Sequence, residues 1–498
     1  MAVDLRLVVP GCTCAPLHGQ AASRCLEAQA CAEAGPFTLM RRAGTDAARL
    51  WLARWPHARR VWLACGPGNN GGDGLVMARR LHLHGLQVLV TLVGTGPGPA
   101  DALQALDEAR AAGVPFGPPP EAGMLDGAVD ALLGLGQNRA PDGTMAALVT
   151  TLNTIRCPVL ALDVPTGLNA DSGQPLGDAV VRAAATLSML TLKPGLFTGS
   201  GRDLAGEIWW TPLGVDLATA APTARLLGSA DAQVLPARPH AGHKGLYGDL
   251  WVLGGAAGMQ GAALLAARAA LAAGAGRVYL ACLAGDLGRC APSALMSRSP
   301  QDLQAPERLS TATVIAGCGG GTVIASELPA PIRHAARLVL DADALNAVAG
   351  EPSLTAALEM RGRAGRPTVL TPHPLEAARL LGVTAKAVQA DRLAAAGQLA
   401  GRFGAVVVLK GSGSVIAAPG EAPWINATGN ARLSSAGTGD VLAGWLAGRW
   451  SSLGGHPHAP MLAAREAVWR HGLAADQARG TVLIADALIG AMHADSAP

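Results

Sequence analysis

The chain has 498 residues, of which 50% are hydrophobic and 15% are charged. This composition excludes a wholly disordered chain, which would combine few apolar residues with a high net charge, and the length predicts roughly two to four domains. The net charge is only +3, from 39 basic and 36 acidic residues, which argues against a main role on nucleic acid or on a membrane surface.

The cysteines and the N-terminus indicate a reducing compartment. The nine cysteines are scattered and form no CxxC pair, so neither a disulfide scaffold nor a zinc or redox motif is indicated. The first residues include Asp4 and lack a long apolar stretch, so we expect no signal peptide. The longest uncharged stretches contain His, Gly and Pro and are poor membrane spans. We therefore expect a cytoplasmic protein without membrane segments.

Two α/β units are predicted along the chain, over residues 1–220 and 236–498, joined by an Ala- and Pro-rich linker at 221–235. The first begins with a helix at Gln20–Ala34. Short apolar runs spaced by helices indicate parallel sheets with helices on both faces. The predicted strands are RVWLACG, LQVLVTLVG, PVLALDVP and ATLSMLTL, then DLWVLGG, GRVYLACL, ATVIAGCG, RLVLDAD, PTVLTPH and AVVVLKG. Ligands are expected in loops at the carboxyl ends of these strands.

A glycine-rich loop, GPGNNGGDG at 66–74, follows the first long strand and opens a helix. Glycines there allow close approach of the backbone to a phosphate, and the helix start offers free amides. The string does not fit the GxGxxG pattern of dehydrogenases. Asn69, Asn70 and Asp73 place polar side chains where a plain turn needs only backbone, so a ligand site is favoured over a structural turn.

Acidic residues recur at the strand ends of the first unit. Asp130 ends the run in VDALLGLG, and Asp163 precedes the turn in LDVPTGL. One such Asp is often only a helix cap or turn former. Three acids at strand ends of one sheet, Asp73 included, indicate a site. Carboxylate, amide and hydroxyl oxygens together also suit a hard cation.

The second unit carries two candidate phosphate motifs. GTGD, ending at Asp440, opens a helix whose amides can face a phosphoryl group while Asp440 acts as a base. KGSGS, at Lys410–Ser414, places a point cation in a polar loop. Only four basic residues are lysines, and Lys193, Lys244 and Lys410 lie in Gly-flanked turns. Because Arg and Lys differ chemically, lysines retained in an Arg-rich chain hint at a specific role.

The motifs of the first unit resemble the N-terminal epimerase domain of the bifunctional NAD(P)H-hydrate repair enzymes. GPGNNGGDG, DALLGLG and LDVPTGL occur in the family's order, with LMRRAG and LKPGLFTGSGRDLAGEI. The resemblance implies a Rossmann-like three-layer αβα domain over residues 1–220, with Asp163 facing the reacting ring. It implies potassium ligands at Asn70, Asp130 and Thr166. The implied hydrate-binding residues are Asn69, Asn70, Gly71, Gly72, Asp73, Gly134, Leu135, Gly136, Gln137, Asn138, Arg139, Ala140 and Asp163. Leu135 and Gln137 depart from the family pattern.

The second unit resembles the ribokinase-like fold, and more narrowly the ADP-dependent NAD(P)H-hydrate dehydratase domain, through LDADALN, TPHPLEAARLL and the two phosphate motifs. The resemblance implies a C-terminal αβα domain that uses Mg²⁺ with ADP, Asp341 and Asp343 being candidate partners. The implied nucleotide contacts are Lys410, Gly411, Ser412, Gly413, Ser414 and Gly439. The implied hydrate contacts are Ala262, Gly321, His373 and the catalytic Asp440. The turn 317–321 departs from the family's GPGLG pattern.

The resemblance implies a two-step repair of hydrated NADH and NADPH. Phosphorylation of the hydrate's hydroxyl, with Asp440 taking its proton, creates a leaving group that the ring nitrogen can expel. ADP would give AMP and phosphate. Such a step acts on one epimer, the S form, and the epimerase domain would interconvert R and S.

Three alternatives stay open. The main one is a vitamin-type kinase fused to a nucleotide-binding module; the others are a scaffold or RNA-associated module and, less favoured, an NAD-dependent dehydrogenase. The sequence also leaves open the preference between NADHX and NADPHX, and the oligomeric state, a homo-oligomer included. The expected partners are small-molecule substrates, with no nucleic acid and no membrane.

Overall fold

The computed structural model describes residues 4–94, 98–217, 220–232, 240–285 and 294–494. The chain divides into two compact units, the first of Met1–Val9 with Ala15–Ala224 and the second of Pro10–Cys14 with Arg225–Pro498. Within the described ranges, no helix combines the length and the apolar character needed to cross a bilayer.

The first unit is built on a seven-stranded sheet in the order β1-β8-β7-β6-β5-β3-β4, parallel except for β1, which runs antiparallel to β8. Its strands, with β2 outside this sheet, are β1 Arg6–Leu7, β2 Ala15–Leu17, β3 Arg60–Cys65, β4 Gln87–Leu92, β5 Gly127–Ala131, β6 Val159–Leu162, β7 Ala185–Met189 and β8 Glu207–Thr211. Its helices are α1 Gln20–Ala34, α2 Thr38–Arg54, α3 Asn69–Leu83, α4 Ala100–Ala111, α5 Gly143–Thr154 and α6 Gly201–Leu204.

The second unit is built on a longer sheet, whose strands within this unit follow the order β12-β11-β10-β13-β14-β15-β16-β17-β18-β9. They are β9 Ala224–Leu226, β10 Asp249–Gly254, β11 Arg277–Cys282, β12 Met296–Arg298, β13 Thr313–Ala316, β14 Arg337–Leu340, β15 Thr368–Leu370, β16 Val406–Leu409, β17 Ser414–Ala417 and β18 Trp424–Asn426. The helices are α7 Ser229–Ala232, α8 Gln260–Ala272, α9 Pro306–Leu309, α10 Ile324–Glu327, α11 Pro329–His334, α12 Ala342–Gly350, α13 Pro352–Arg363, α14 Pro374–Leu381, α15 Ala385–Ala390, α16 Arg392–Phe403, α17 Thr438–Ser452, α18 Ala459–Gln477 and α19 Ala485–Ala494.

Alternation of side chains along the buried strands gives each unit three layers. In β3, Val61, Leu63 and Cys65 pack with α2–α4 on one face of the sheet. Trp62 and Ala64 pack with α5 on the other face. In β10, Val252 belongs to the core that includes α8 and α17–α19, and Leu253 to the core that includes α11–α16. Both faces of each sheet are therefore covered by helices.

The predicted helix at Gln20–Ala34 and the ten predicted strands are present. The last strands of the second sheet differ from the parallel prediction, since β17 runs antiparallel to both β16 and β18. The loop between β16 and β17 is too short for the crossover that a parallel pair requires. The segment 221–235, expected to be a linker, contains β9 and α7, and β9 pairs with β18.

Candidate functional site

A cavity of about 420 Å³ lies at the carboxyl ends of the first unit's strands, beside the start of α3. The structure brings many of the sequence-predicted residues to its wall: Asn69, Asn70, Asp73, Gly134, Leu135, Gly136, Gln137 and Asp163. This is where the carboxyl ends of parallel strands are expected to hold a ligand.

Five predicted hydrate-binding residues do not line this cavity. A Cβ added at Gly71 would lie 1.9 Å from the Gly66 carbonyl oxygen, and one added at Gly72 would lie 2.6 Å from the Met40 side chain. These glycines therefore let α3 approach the end of β3 and helix α2 closely. The other three residues are exposed beyond the cavity wall: Asn138, Arg139 and Ala140.

Asp163 is held in place by a buried lysine. Lys193 is 1% exposed, and its Nζ donates to Asp163 Oδ1 and to the Met189 carbonyl oxygen at 2.7 Å. The other carboxylate oxygen, Oδ2, accepts from the Leu135 amide at 2.8 Å. Asp163 has a φ of +66°, a conformation that L-residues rarely adopt and that often marks functional sites. Its carboxylate is thus fixed at the cavity wall.

Asp130 and Thr166 form a fully buried pair. Asp130 accepts from the Thr166 amide at 2.8 Å and from its hydroxyl at 2.7 Å, and burial raises the pKa of Asp130 to about 6 against the effect of these hydrogen bonds. Asn70 is also buried, and neither atom of its amide group has a hydrogen-bond partner within the described part of the chain. A buried, unsatisfied amide is costly unless a ligand or water completes it.

Gln137 departs from the family pattern and has a structural role here. Its Nε2 donates to the Pro165 carbonyl oxygen at 3.0 Å, and its Oε1 accepts from the Gly167 amide at 2.6 Å. It therefore ties the loop after β5 to the turn that follows Asp163.

The second unit brings its two phosphate motifs together. Lys410 Nζ donates to Asp341 Oδ1 at 2.6 Å, and a Cβ placed on Gly439 would lie 3.5 Å from the same Nζ. The ligand atoms of Cys318, Asp341 and Asp440 all lie within 4.8 Å of one another. The structure thus joins the start of α17, the end of β16 and the end of β14 in one polar cluster.

The electrostatics of this cluster suit a proton acceptor. Burial, followed by the charge of Asp341, raises the pKa of Asp440 to about 6, although Cys318 and Lys410 act in the opposite direction. The thiol of Cys318, buried near these carboxylates, has a pKa raised well above its usual value, mainly by burial. Asp440 is therefore ionised at neutral pH but basic enough to accept a proton.

The KGSGS loop is braced from behind by Arg392, which is 1% exposed. Its NH2 donates to the carbonyl oxygens of Leu409, Lys410 and Gly413 at 3.1, 3.2 and 3.4 Å. These bonds turn the loop carbonyls toward the guanidinium. Gly411 has a φ of +135°, and a Cβ added there would lie 3.0 Å from Arg392 NH1, so the bracing requires glycine.

The other predicted hydrate contacts of this unit lie in the first turn of α8, in the turn 317–321 and at the start of α14. A Cβ added at Gly319 would lie 2.9 Å from Ala262 Cβ, so Ala262 adjoins the 317–321 turn. The amide of Gly321 donates to Asp343 Oδ2 at 2.8 Å. His373 caps α14, with Nδ1 accepting from the amide of Glu376 at 3.3 Å, and its side chain is 46% exposed.

Sequence reasoning missed several residues of both sites. Lys193 was marked only by the scarcity of lysine. Glu27, on α1, lines the first cavity, but the sequence of its helix gives no sign that distinguishes it from an acidic residue on the surface. Arg392 and Cys318 were equally unmarked, because a buried brace and a buried thiol carry no motif of their own.

Comparisons with known proteins cover both units. Residues 36–195 match the family model described as the N-terminus of YjeF-related proteins, and residues 250–490 match that of NAD(P)H-hydrate dehydratase. The chain is 36% identical to a bifunctional NAD(P)H-hydrate repair enzyme of Coxiella burnetii, over 89% of this chain and 90% of that one. It is 37% identical to that of Gloeobacter violaceus over 96% of both chains.

A crystal structure of an ADP/ATP-dependent NAD(P)H-hydrate dehydratase from Bacillus subtilis, co-crystallized with ATP/Mg²⁺, is also similar. It is 29% identical, with a TM-score of 0.43, and the match covers 53% of this chain and 93% of that one.

Proposed function

Because the chain belongs to the family of bifunctional NAD(P)H-hydrate repair enzymes, we propose that its two sites restore hydrated NADH and NADPH in two successive steps. The first interconverts the R and S epimers of the hydrate, and the second dehydrates the S epimer with ADP. The family relationship supports this repair activity over a vitamin-type kinase. The single structural observation that carries it is the meeting of Lys410, Gly439 and Asp440.

In the first step, Asp163 acts as the base at the hydrated ring. Its carboxylate is held by Lys193 and by the Leu135 amide at the wall of the cavity, so it is oriented before substrate arrives. Preorganised groups of this kind lose little freedom on binding. Asn69, Asp73 and the loop 134–137 line the same cavity and would contact the nucleotide.

In the second step, Asp440 takes the proton of the hydrate's hydroxyl as that oxygen attacks the terminal phosphoryl group of ADP. Lys410 and the amides of the KGSGS loop and of Gly439 stabilise the charge on the phosphoryl oxygens. The phosphorylated hydroxyl is then expelled as phosphate by the lone pair of the ring nitrogen, and loss of a neighbouring C–H proton leaves NADH or NADPH with AMP. Ala262, Gly321 and His373, which the family resemblance implies as hydrate contacts, would hold the nicotinamide portion.

A potassium ion fits the first site. Asn70 offers a buried amide oxygen without a partner among the described residues, and Asp130 and Thr166 add a buried carboxylate and a hydroxyl. One carboxylate with neutral oxygens suits a monovalent cation better than a divalent one. Such an ion would order the loops that carry these residues.

Mg²⁺ with ADP fits the second site. The Asp341 carboxylate lies in the cluster beside the loop that would hold the phosphates, and Asp343 follows it in the first turn of α12. Hard oxygen donors are the ligands that Mg²⁺ prefers, usually shared with phosphates and water. The ion would neutralise phosphate charge during transfer.

We assign the epimerase activity to residues 1–220 and the dehydratase activity to residues 236–498. Incubation with mixed epimers, ADP and Mg²⁺ tests the proposal. Absorbance of reduced nicotinamide should rise, with one AMP and one inorganic phosphate per NAD(P)H formed. A stable phosphorylated product without NAD(P)H would instead indicate a kinase.

A further inference from the structure

The first cavity contains three carboxyl groups besides that of Asp163, and one of them belongs to Glu27. Glu27 lies on α1, is half-buried, and lines the same cavity. Helix α1 precedes the residues that match the family model, which begin at residue 36. No motif considered above assigns Glu27 a role.

The two carboxyl groups have different surroundings. Both oxygens of Asp163 are engaged, one by the buried ammonium of Lys193 and the other by a backbone amide. Burial, followed by the charge of Asp163, raises the pKa of Glu27, although Lys193, Arg24 and a hydrogen bond with Asn69 act in the opposite direction. Paired carboxyl groups whose environments differ commonly divide the roles of acid and base. The charged or titratable groups that face Glu27 are Asp163, Lys193, Arg24, Asp73 and Cys31.

The other two acids of the cavity have other roles. Asp101 accepts from the Phe37 amide at 3.1 Å, so one of its oxygens holds the start of α2. Asp73 lies one turn into α3, where burial also raises its pKa, but the family resemblance assigns it to nucleotide binding. The Glu27 side chain comes from α1 and that of Asp163 from the end of β6, so these two carboxyl groups reach the cavity from different elements.

We propose that Glu27 is the proton donor of the epimerisation and that Asp163 is the matching proton acceptor. This inference rests on the epimerase function proposed above and deepens it. The division of labour requires one proton-donating and one proton-accepting carboxyl group in a single cavity, and Glu27 and Asp163 both line that cavity.

Glu27 protonates the hydroxyl oxygen, the C–O bond breaks, and the lone pair of the ring nitrogen forms a C=N bond as water leaves. Water then adds to the opposite face of the same carbon, the C=N pair returns to nitrogen, and Asp163 accepts the proton of the added water. No atom is oxidised or reduced. Exchange with solvent returns a proton to Glu27 and removes one from Asp163.

The test compares Glu27→Gln with Glu33→Gln in the full chain, using purified R epimer and monitoring formation of S. Glu33 is a matched control because it is exposed on the same helix, where it accepts from Gln29 at 3.1 Å. Glu27→Gln should lower epimerisation by about two to four orders of magnitude, the usual contribution of an acid or base. Glu33→Gln should keep the wild-type rate, and Glu27→Asp should recover part of it.

The pH profile separates catalysis from a structural role. Glu27 acts protonated, so wild-type epimerisation should fall at high pH, and Glu27→Gln should lose that limb while it still binds hydrate. An unchanged rate and alkaline limb in Glu27→Gln, or loss of hydrate binding in proportion to rate, would overturn the inference while the epimerase function stands. Failure of the wild type to interconvert epimers would overturn the proposed function itself.

Discussion

Two lysines mark the two sites. Lys193 and Lys410 each place a buried ammonium on a carboxylate, Asp163 in the first unit and Asp341 in the second. A compact point charge on a flexible stem fits such a confined position better than a planar guanidinium. The scarcity of lysine in the sequence therefore pointed to these residues, but their carboxylate partners became apparent only from the structure.

Dehydration should depend on pH through Asp440. Because burial raises its pKa to about 6 and the base acts ionised, the rate should fall as pH drops below that value and level off above it. Asp440→Asn should lose about two to four orders of magnitude in rate. Initial rates from pH 5 to 8 with pure S epimer check this; a wild-type rate that stays constant down to pH 5 would exclude Asp440 as the base.

Arg392 should act on nucleotide affinity. Arg392→Met leaves three backbone carbonyls without their hydrogen-bond donor, which should destabilise the folded loop by about 1–3 kcal/mol. Because 1.4 kcal/mol corresponds to a factor of ten, KM for ADP should rise about tenfold. KM for the hydrate should change little. Arg402→Met is the control, since Arg402 lies on the same helix and pairs with Glu359 at 2.9 Å. An unchanged KM for ADP in a folded Arg392→Met would contradict the bracing role.

Asp130 should govern the response to potassium. If K⁺ completes the shell of Asn70, Asp130 and Thr166, KCl should raise epimerisation above the rate in tetramethylammonium chloride. Asp130→Ala should lose this response and keep normal dehydration. The measurement is epimerisation rate against salt type at constant ionic strength. Equal rates of the wild-type protein in the two salts would count against a potassium site.

Among the secondary-structure elements, the strands that the sequence predicts best are the buried parallel ones. Their apolar runs, such as VVVL, are bounded by glycine and polar residues, which marks where each strand begins and ends. The antiparallel β17 was missed because it begins at Ser414, inside the KGSGS motif that the sequence assigned to a polar loop, and its partner β18 was missed with it. The segments 66–74, 134–137 and 438–440 lie at the ends of strands or the starts of helices, where the sequence predicted them. The roles of Glu27 and Arg392 depend on which helix packs beside which loop, and one chain's sequence does not contain that information in a local pattern.

Helix α17, which begins with the GTGD motif, depends on close packing against α8. A Cβ added at Gly444 would lie 2.1 Å from the Ala266 carbonyl oxygen, so Gly444→Ala should destabilise the second unit by about 1–3 kcal/mol. Gly401 in α16 has nothing within 4 Å of such a Cβ, so Gly401→Ala should stabilise by roughly 0.5–1 kcal/mol through helix propensity. Urea unfolding of both variants measures this; equal effects would refute the packing argument.

At the scale of the whole molecule, the two units divide one task between two separate sites. Each site has its own carboxylate, Asp163 or Asp440, and the residues that contact each carboxylate belong to the same unit. Substitutions that share no partners usually have additive effects. Asp163→Asn should therefore leave dehydration of the S epimer unchanged, while Asp440→Asn should leave epimerisation unchanged.

The most direct test is a time course of Asp163→Asn with a mixture of both epimers, ADP and Mg²⁺. This variant should convert the S epimer at the wild-type rate and then nearly stop, leaving the R epimer to disappear at its slow spontaneous rate. Complete conversion of both epimers at wild-type speed would remove Asp163 from the mechanism. Failure on both epimers would show that the two sites do not act independently.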